Sequence, residues 1–389
     1  MITAFNGERL KMARVYRGLT IAELAEKSDC LRQTLSMYES GKTKPLDNST
    51  VNRLANALDF PMKFFIESNV PVSTGSTYFR ALLTTNKKYR AEQTQKMEFL
   101  ALLYTFLQEY IDFPKLQLPN CSGFSPEEAA AKLRETWKLG KGPIDNLIYI
   151  VEQHGILVTS FATPTDDIDA FSQMVNVNGK EVYLIGYSNN KTSAARIHFD
   201  IAHELGHICL HEWNEDVESF DRKEFKERED EANRFASAFL LPEESFIADA
   251  SVAPLRIPYY KELKRRWKVS IQAMSRRAYK LGLTSMDEYQ LIIRTLQRRG
   301  MRKDEPLDDT LRTAPPALLK AAVSMLLEED VFTPKEFMDE LSYSYGFSIS
   351  ASEIEYLLDL PEGTLSATNN IMEFSSLQLR SRQKNNSLA

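Results

Sequence analysis

The sequence predicts a mostly helical protein. A small α+β core with a three- to four-stranded sheet is flanked by an N-terminal all-α domain and a helical C-terminal region. Apolar residues recur at helical spacing along most of the 389 residues. Runs rich in β-branched and aromatic residues, which are typical of strands, occur only between residues 156 and 187. At roughly 100–200 residues per domain, the length predicts two to four domains.

Composition and charge exclude several classes of protein. The formal net charge is −6, from 48 Lys and Arg against 54 Asp and Glu, which argues against a nucleic-acid-binding coat over the whole surface. No run of about 18 apolar residues is present, so neither a membrane span nor a membrane partner is expected. The N-terminal segment lacks the apolar part of a secretory signal, and the three cysteines are too far apart for a disulfide framework. These features predict a cytoplasmic protein.

Residues 1–67 are predicted to form a compact domain of short helices. Thr20 and Glu23 have the spacing of a capping box, which predicts a helix over Thr20–Lys27. A polar turn separates this helix from another over Leu31–Ser40, and further short helices precede and follow the pair. This succession predicts an all-α domain.

A linker and a second domain are predicted next. Residues 68–76 contain Pro71 and Gly75 and are poor in large apolar side chains, as is typical of an interdomain linker. The second domain is predicted over residues 77–255, in which helices over 77–150 come before the strands.

The α+β core is predicted from the strand-like runs and two helices behind them. The runs are Ile156–Phe161, Ala170–Val177 and Glu181–Tyr187, and the Asn178-Gly179 pair predicts a hairpin between the last two. Helices are expected from about Ser193 to His211 and from about Phe225 to Phe239. Residues 256–305 are predicted to be a basic helical segment, and residues 306–389 a helical region with a frayed polar tail.

A metal-binding motif lies in the first of these two helices. Three of the five histidines fall within nine residues, in the pattern His203-Glu204-x-x-His207 followed by His211. Residues four apart on a helix stand one turn above each other, so two imidazoles can bind one ion. Glu204 can then reach a water molecule at the metal and act as a general base. A catalytic zinc also needs a third protein ligand.

The third ligand is expected on the following helix, which is rich in acidic residues. Glu229 shares a helix face with Asn233 because the two are four residues apart, whereas Glu231 does not lie on that face. On geometry alone, Glu227 and Asp230 are alternatives to Glu229.

The segments IHFDIAHELGHICLH and EREDEANRFASAFLLP together resemble the ImmA/IrrE family of bacterial zinc metallopeptidases. The resemblance covers about residues 77–305 and includes the segment IDAFS at residues 168–172. It implies that His203, His207 and Glu229 bind Zn²⁺ and that Glu204 is the catalytic acid/base. It also implies a zinc metalloendopeptidase with a narrow substrate, typically a helix-turn-helix repressor, whose cleavage relieves repression in a stress response or in mobile-element control.

Other residues near the motif have weaker assignments. His211 is expected to complement the dipole at the end of its helix, with a contact to the metal site or to substrate as alternatives. Cys209 is expected to be a small core residue, and His154 a helix-end residue. His198 and Arg196 can reach the rim of a cleft or lie on the surface.

The contacts to a substrate are less well defined by the sequence. Tyr183 and Tyr187 are candidates for stabilising an oxyanion, because they lie on the strand before the zinc helix. Either Glu181–Tyr187 or Ala170–Val177 is predicted to be an edge strand that binds an extended substrate by strand addition.

The segment TIAELAEKSDCLRQTLSMYESGKTKP, at residues 20–45, resembles the core of a phage-repressor type (XRE-like) helix-turn-helix domain. The resemblance implies that Leu31–Ser40 is the recognition helix in the major groove of DNA. Its expected contacts are Arg32, Gln33, Thr34 and Ser36 with bases, and Lys42 and Lys44 with phosphates. The first 70 residues hold 10 basic and 8 acidic side chains, so few phosphate contacts are available, and a protein-docking module is the alternative.

A basic region follows the predicted peptidase. Lys261–Lys303 carries 13 Lys and Arg against three acidic residues. Such a segment either packs on the acidic peptidase helices or contacts nucleic acid.

Together these patterns predict a DNA-binding transcriptional regulator with a zinc-dependent endopeptidase domain. Its expected partners are DNA and a protein substrate, and a homodimer would match a palindromic DNA site. The alternatives are a non-proteolytic transcriptional regulator or a toxin–antitoxin component that keeps the zinc site for structure or sensing. The complete set of His203, Glu204, His207 and Glu229 favours catalysis, because a structural site does not need Glu204.

Overall fold

The computed structural model describes residues 5–42, 46–79, 86–162, 169–190, 193–213 and 220–366. These residues form 16 α-helices and one four-stranded mixed sheet, which confirms the predicted, mostly helical fold with a small α+β core. Within the same residues, no helix is both long enough and apolar enough to cross a membrane.

The N-terminal domain contains helices α1 (Gly7–Tyr16), α2 (Ile21–Ser28), α3 (Arg32–Glu39) and α4 (Asn48–Leu58). The predicted capping box is present: the Thr20 hydroxyl accepts from the N–H of Glu23, and the Glu23 carboxylate accepts from the N–H of Thr20. Each helix contributes one fully buried leucine to a common centre: Leu10, Leu24, Leu35 and Leu54. Local capping and one small apolar core therefore hold this domain together.

The sheet is formed by β1 (Val72–Phe79), β2 (Leu157–Phe161), β3 (Ala170–Val177) and β4 (Lys180–Ser188), in the order β1-β3-β4-β2. β3 pairs antiparallel with both β1 and β4, and β2 pairs parallel with β4. The three strands predicted from sequence are all present. The two predicted edge strands, β3 and β4, are interior strands instead, so that prediction is wrong.

The difference arises from β1, which lies where the sequence predicts a linker over residues 68–76. Five of its eight residues are β-branched or aromatic, but Pro71 before them and Gly75 among them are residues typical of turns and linkers. Pairing with β3 supplies the backbone hydrogen bonds that order it. The helix predicted within residues 77–150 accordingly begins only at Lys87, as α5 (Lys87–Leu107).

Two helices cover opposite faces of the sheet. On one face, Phe171 of β3 and Met97 of α5 both approach Gly186 of β4. Ser172, the next residue of β3, points to the other face, towards α8 (Ala194–Leu210). α8 packs in turn against α9 (Arg222–Leu240), and α6 (Pro126–Thr136) and α7 (Leu147–Gln153) complete this layer.

Gly206 allows α8 and α9 to approach closely. A Cβ atom at this position would lie 3.0 Å from Cα of Ala232 on α9. Gly206, inside the His203-Glu204-x-x-His207 motif, therefore has a packing role. Because it has no side chain, the histidine-bearing face of α8 can lie against the acidic helix α9.

The remaining helices lie behind this core: α10 (Glu243–Ala250), α11 (Ile257–Trp267), α12 (Ile271–Lys280), α13 (Met286–Arg298), α14 (Leu318–Glu328), α15 (Pro334–Tyr345) and α16 (Ala351–Leu357). Phe99 of α5 stacks on Tyr16 of α1 with 4.8 Å between ring centroids, and it contacts Phe347 at the same distance. Arg17 forms an ion pair with Glu353 of α16. The N-terminal domain is therefore packed against the rest of the chain. The predicted frayed tail lies outside the described residues.

Candidate metal centre

Helices α8 and α9 bring three potential metal ligands together. The Nε2 atoms of His203 and His207 lie 3.1 Å apart. The carboxylate of Glu229 lies 3.5 Å from the first of these nitrogens and 3.3 Å from the second. The three ligand atoms all fall within 4.8 Å of one another, a spacing that could hold one metal ion.

The electrostatics of the cluster favour the protonation states that bind metal. Burial lowers the pKa of His207 to about 4, so its imidazole is neutral at physiological pH. Burial opposes ionisation of Glu229, but its close contacts with His203 and His207 outweigh burial and lower its pKa to about 2. Neutral imidazoles and an ionised carboxylate are the forms that coordinate a cation.

His203 is oriented by Asn233. Its Nδ1 lies 3.2 Å from Oδ1 of Asn233, whose amide in turn donates to the backbone carbonyl of Glu229 at 2.7 Å. Because Asn Oδ1 only accepts, Nδ1 of His203 must carry the proton and Nε2 must offer its lone pair to the cluster. The face shared by Glu229 and Asn233, which the sequence predicted, is the face that meets α8.

His207 is oriented by a longer chain of contacts. Its Nδ1 lies 2.9 Å from Nδ1 of His211, and Nε2 of His211 lies 3.1 Å from a carboxylate oxygen of Glu231. The carboxylate of Glu231 accepts a hydrogen bond from Nε2–H of His211, so Nδ1 of His211 accepts one from Nδ1–H of His207, and Nε2 of His207 faces the cluster with its lone pair. Burial lowers the pKa of His211 to about 3, in agreement with a neutral ring.

This chain of contacts corrects the main expectation for His211. The residue does end α8, as expected for a dipole partner, but it is buried and neutral and supports His207. Glu231 was correctly placed off the ligand face. Its role was missed because nothing in the local spacing relates Glu231 to His211, a residue 20 positions earlier.

Glu204 is fully buried and is held by the sheet. The hydroxyl of Ser172, on β3, donates to Oε2 of Glu204 at 2.6 Å. Sequence reasoning did not single out Ser172, and the one available signal was its position in the segment IDAFS. A strand and a helix thus jointly position the candidate acid/base.

The two acidic alternatives to Glu229 lie elsewhere. A carboxylate oxygen of Glu227 lies 3.6 Å from Nζ of Lys223 on the same helix. A carboxylate oxygen of Asp230 lies 3.9 Å from Nη2 of Arg276. Of the three acids considered, the structure brings Glu229 to the histidines.

A cleft of about 960 Å³ adjoins the cluster. It is lined by residues of α8, α9, α12 and α13, and by Asp169 just before β3. Asn233 lines the cleft and also contacts His203, so one side chain lies between the cleft and the candidate ligands, which are not among its lining residues. Arg196 lines the cleft, as one of its two alternatives predicted. His198 is instead buried against Thr313, and burial lowers its pKa to about 4.

Four other residues have defined surroundings. His154 ends α7 and stacks on Trp137, as expected for a helix-end residue. Cys209 is half-buried at the core, where its thiol contacts that of Cys121, and this contact and burial raise its pKa. Tyr183 packs against Trp213, and Tyr187 contacts Ser160, so an oxyanion role for either stays a prediction.

The predicted DNA contacts lie on an accessible helix. Arg32, Gln33 and Ser36 are exposed on α3, Thr34 is half-buried, and Lys42 is exposed just beyond the helix. Lys44 lies outside the described residues. The surface that would face DNA is therefore not covered by the packing of this domain on α5 and α16.

Several cations of Lys261–Lys303 meet acidic partners from outside this range. Lys264 is buried between Glu305 and Asp308, with distances of 2.9 and 2.7 Å. Arg266 pairs with Asp249 at 2.9 Å. These ion pairs favour the packing interpretation of the segment over nucleic-acid contact.

Comparison with known protein families agrees with both regions. The model of IrrE N-terminal-like domains matches residues 151–279, from α7 into α12, and a helix-turn-helix model matches residues 7–62. Among curated proteins, no match is found. Residues 151–279 thus form an IrrE N-terminal-like domain of the M78 peptidase family, and residues 7–62 form a helix-turn-helix domain.

Proposed function

We propose that this protein is a transcriptional regulator with a zinc metalloendopeptidase domain that cleaves a helix-turn-helix repressor. The observation that carries the proposal is the cluster of His203, His207 and Glu229 beside a buried Glu204. A site that only stabilises the fold needs closed coordination and has no use for an acid/base next to the metal.

The donor set fits zinc. Two imidazole nitrogens and one carboxylate, each oriented by a further hydrogen bond, are the ligand types of catalytic zinc sites with an open position. Zinc held by His203, His207 and Glu229 would supply Lewis acidity towards a peptide carbonyl and towards water.

The protein groups perform the proton transfers. Ser172 donates a hydrogen bond to Oε2 of Glu204 and so fixes the rotamer of this carboxylate. Glu204 then accepts a proton from the attacking water and returns it to the leaving amine of the cleaved peptide bond. The burial of Glu204 keeps bulk water from competing for that proton.

The helix-turn-helix domain supplies DNA binding in this proposal. Arg32, Gln33, Thr34 and Ser36 read base edges from the exposed face of α3, and Lys42 and Lys44 contact phosphate. The few basic residues of the domain make binding weak for one copy, which favours a dimer on a palindromic site.

The test is an incubation of the zinc-loaded protein with helix-turn-helix repressors encoded near its gene, beside Glu204→Gln. The expected result is that the parent cleaves one repressor at one site, whereas Glu204→Gln binds zinc equally and cleaves none. If neither protein cleaves any candidate while both bind operator DNA, the non-proteolytic regulator is the correct assignment.

A further inference from the structure

The edge of β3 nearest the candidate metal centre is occupied by the chain itself. β1 pairs antiparallel with β3, with Val72 opposite Val177, Thr74 opposite Val175 and Tyr78 opposite Ser172. β1 comes directly after the helix-turn-helix domain, and it contributes nothing to the region that matches the peptidase family model.

This edge is directly connected to the acid/base. Ser172 donates its hydroxyl hydrogen bond to Glu204, and Ser172 is the register partner of Tyr78. The backbone of β1 at residue 78 therefore runs alongside a strand position that touches Glu204. β2, at the opposite end of the sheet, pairs with β4 and is separated from Ser172 by that strand.

Extended peptides bind sheets by adding a strand to an open edge. For a peptide bond to approach Glu204 in this way, the peptide must pair with β3 on the side of Ser172. That position is the one that β1 fills, in the antiparallel direction and over six register pairs.

We propose that the edge of β3 is a binding site for an extended peptide and that residues 72–79 occupy it as an intramolecular competitor. A substrate bound there displaces β1 from the sheet. Displacement of β1 by a substrate rests on the proposed peptidase function, whereas the competition between β1 and a peptide can be measured without catalysis.

The attachment of β1 is suited to such exchange. Ser73 is exposed, Val72, Thr74 and Gly75 are half-buried, and the pairing with β3 is irregular between Thr74 and Thr77. Among the side chains of β1 that the structure describes, Val72 packs on the core and Thr74 donates a hydrogen bond to the carboxylate of Glu98 on α5. A segment held in place by its chain connection competes at a high effective concentration even when each contact is weak.

The experiment uses a fluorescent peptide with the sequence of residues 70–85, in the zinc-loaded Glu204→Gln protein. Thr74→Asp, added to this background, places a carboxylate against Glu98 and weakens only the competitor in the chain. Ser73→Asp adds the same charge at the neighbouring exposed position and is the matched control. We expect Thr74→Asp to bind the peptide at least about tenfold more tightly than Ser73→Asp does. Hydrogen exchange should show the peptide protecting the β3 amides.

A second variant links β1 covalently to β3 instead of loosening it. Val72→Cys with Val177→Cys joins two register partners, so oxidation should abolish peptide binding and reduction should restore it. Equal peptide affinity of Thr74→Asp and Ser73→Asp would overturn the proposal, and so would peptide binding to the oxidised pair. If Thr74→Asp does not fold, the cysteine pair decides alone. Because binding is the readout, a failure of repressor cleavage leaves this result interpretable.

Discussion

The helix-turn-helix domain and the candidate metal centre are built in opposite ways. In the domain at residues 7–62, the capping box joins residues three apart, and the short helices pack on one another within about 50 residues of sequence, α1 on α3 and α2 on both α3 and α4. In the metal centre, Ser172, Glu204 and Glu229 come from β3, α8 and α9, and each hydrogen bond that orients a group crosses between elements or turns. We therefore expect the first region to tolerate single changes and the second to depend on all its parts.

The largest effect is expected from removal of a ligand. Glu229→Ala should lower zinc affinity by more than about 100-fold, because loss of an outer partner alone costs 10–100-fold. Glu227→Ala, on the same helix and paired with Lys223, is the matched control. Zinc content per chain after dialysis measures both. A full metal load in Glu229→Ala would contradict the ligand assignment.

Asn233 and Glu231, which orient the two histidines, should contribute unequally to zinc affinity. Asn233→Ala removes the partner that touches His203 directly, and Glu231→Ala removes a partner that reaches His207 through His211. We expect zinc affinity to fall by roughly 10–100-fold in the first variant and by less in the second. Competition with a chelator measures the order, and a larger loss in Glu231→Ala would show that the relay dominates.

Ser172→Ala tests whether the sheet positions the acid/base. The variant should retain zinc and KM but lose about tenfold in kcat, since a hydrogen bond to a charged group contributes roughly 1.5–3 kcal/mol. Repressor cleavage with separate kcat and KM gives the readout. An unchanged kcat would limit Ser172 to a packing role.

A change on the recognition helix should weaken DNA binding and leave the metal centre intact. Arg32→Ala is expected to weaken operator binding by about tenfold, the scale of one base contact, and to leave zinc content and cleavage unchanged. Lys11→Ala, exposed on α1, serves as the control for a general loss of charge. If Arg32→Ala binds operator DNA as the parent does, the recognition face has been misassigned.

The smallest expected effect is on the pH dependence of stability. It comes from Glu152, which belongs neither to the helix-turn-helix domain nor to the metal centre. Burial raises the pKa of Glu152 from 4.5 to about 7, although the N–H groups of Ala317 and Leu318 donate to it. The folded chain therefore holds a proton that the unfolded chain releases, so this stabilisation is present below pH 4.5 and is lost as pH rises through 7. Glu152→Gln should remove a decrease on the order of 1 kcal/mol between pH 5.5 and 7. Urea unfolding at both pH values checks the slope while zinc content stays constant.

Local signals accounted for much of the molecule. Three of these signals depend on residues close in sequence: the capping box at Thr20, the strand-like runs that begin at Ile156, and the spacing of His203 and His207. All three correspond to elements of the structure. β1 could not be predicted in the same way, because its order comes from a partner strand about 100 residues away.

The helical class, the strands β2, β3 and β4, and the helix that bears the histidines all followed from the sequence, because periodicity and spacing act within one element. Tertiary structure alone decided that Ser172 meets Glu204, that Glu231 supports His211 and that β1 covers the edge of β3. Those contacts require the sheet and two helices to pack first. No pattern along the chain records which side chains such packing brings within hydrogen-bonding distance.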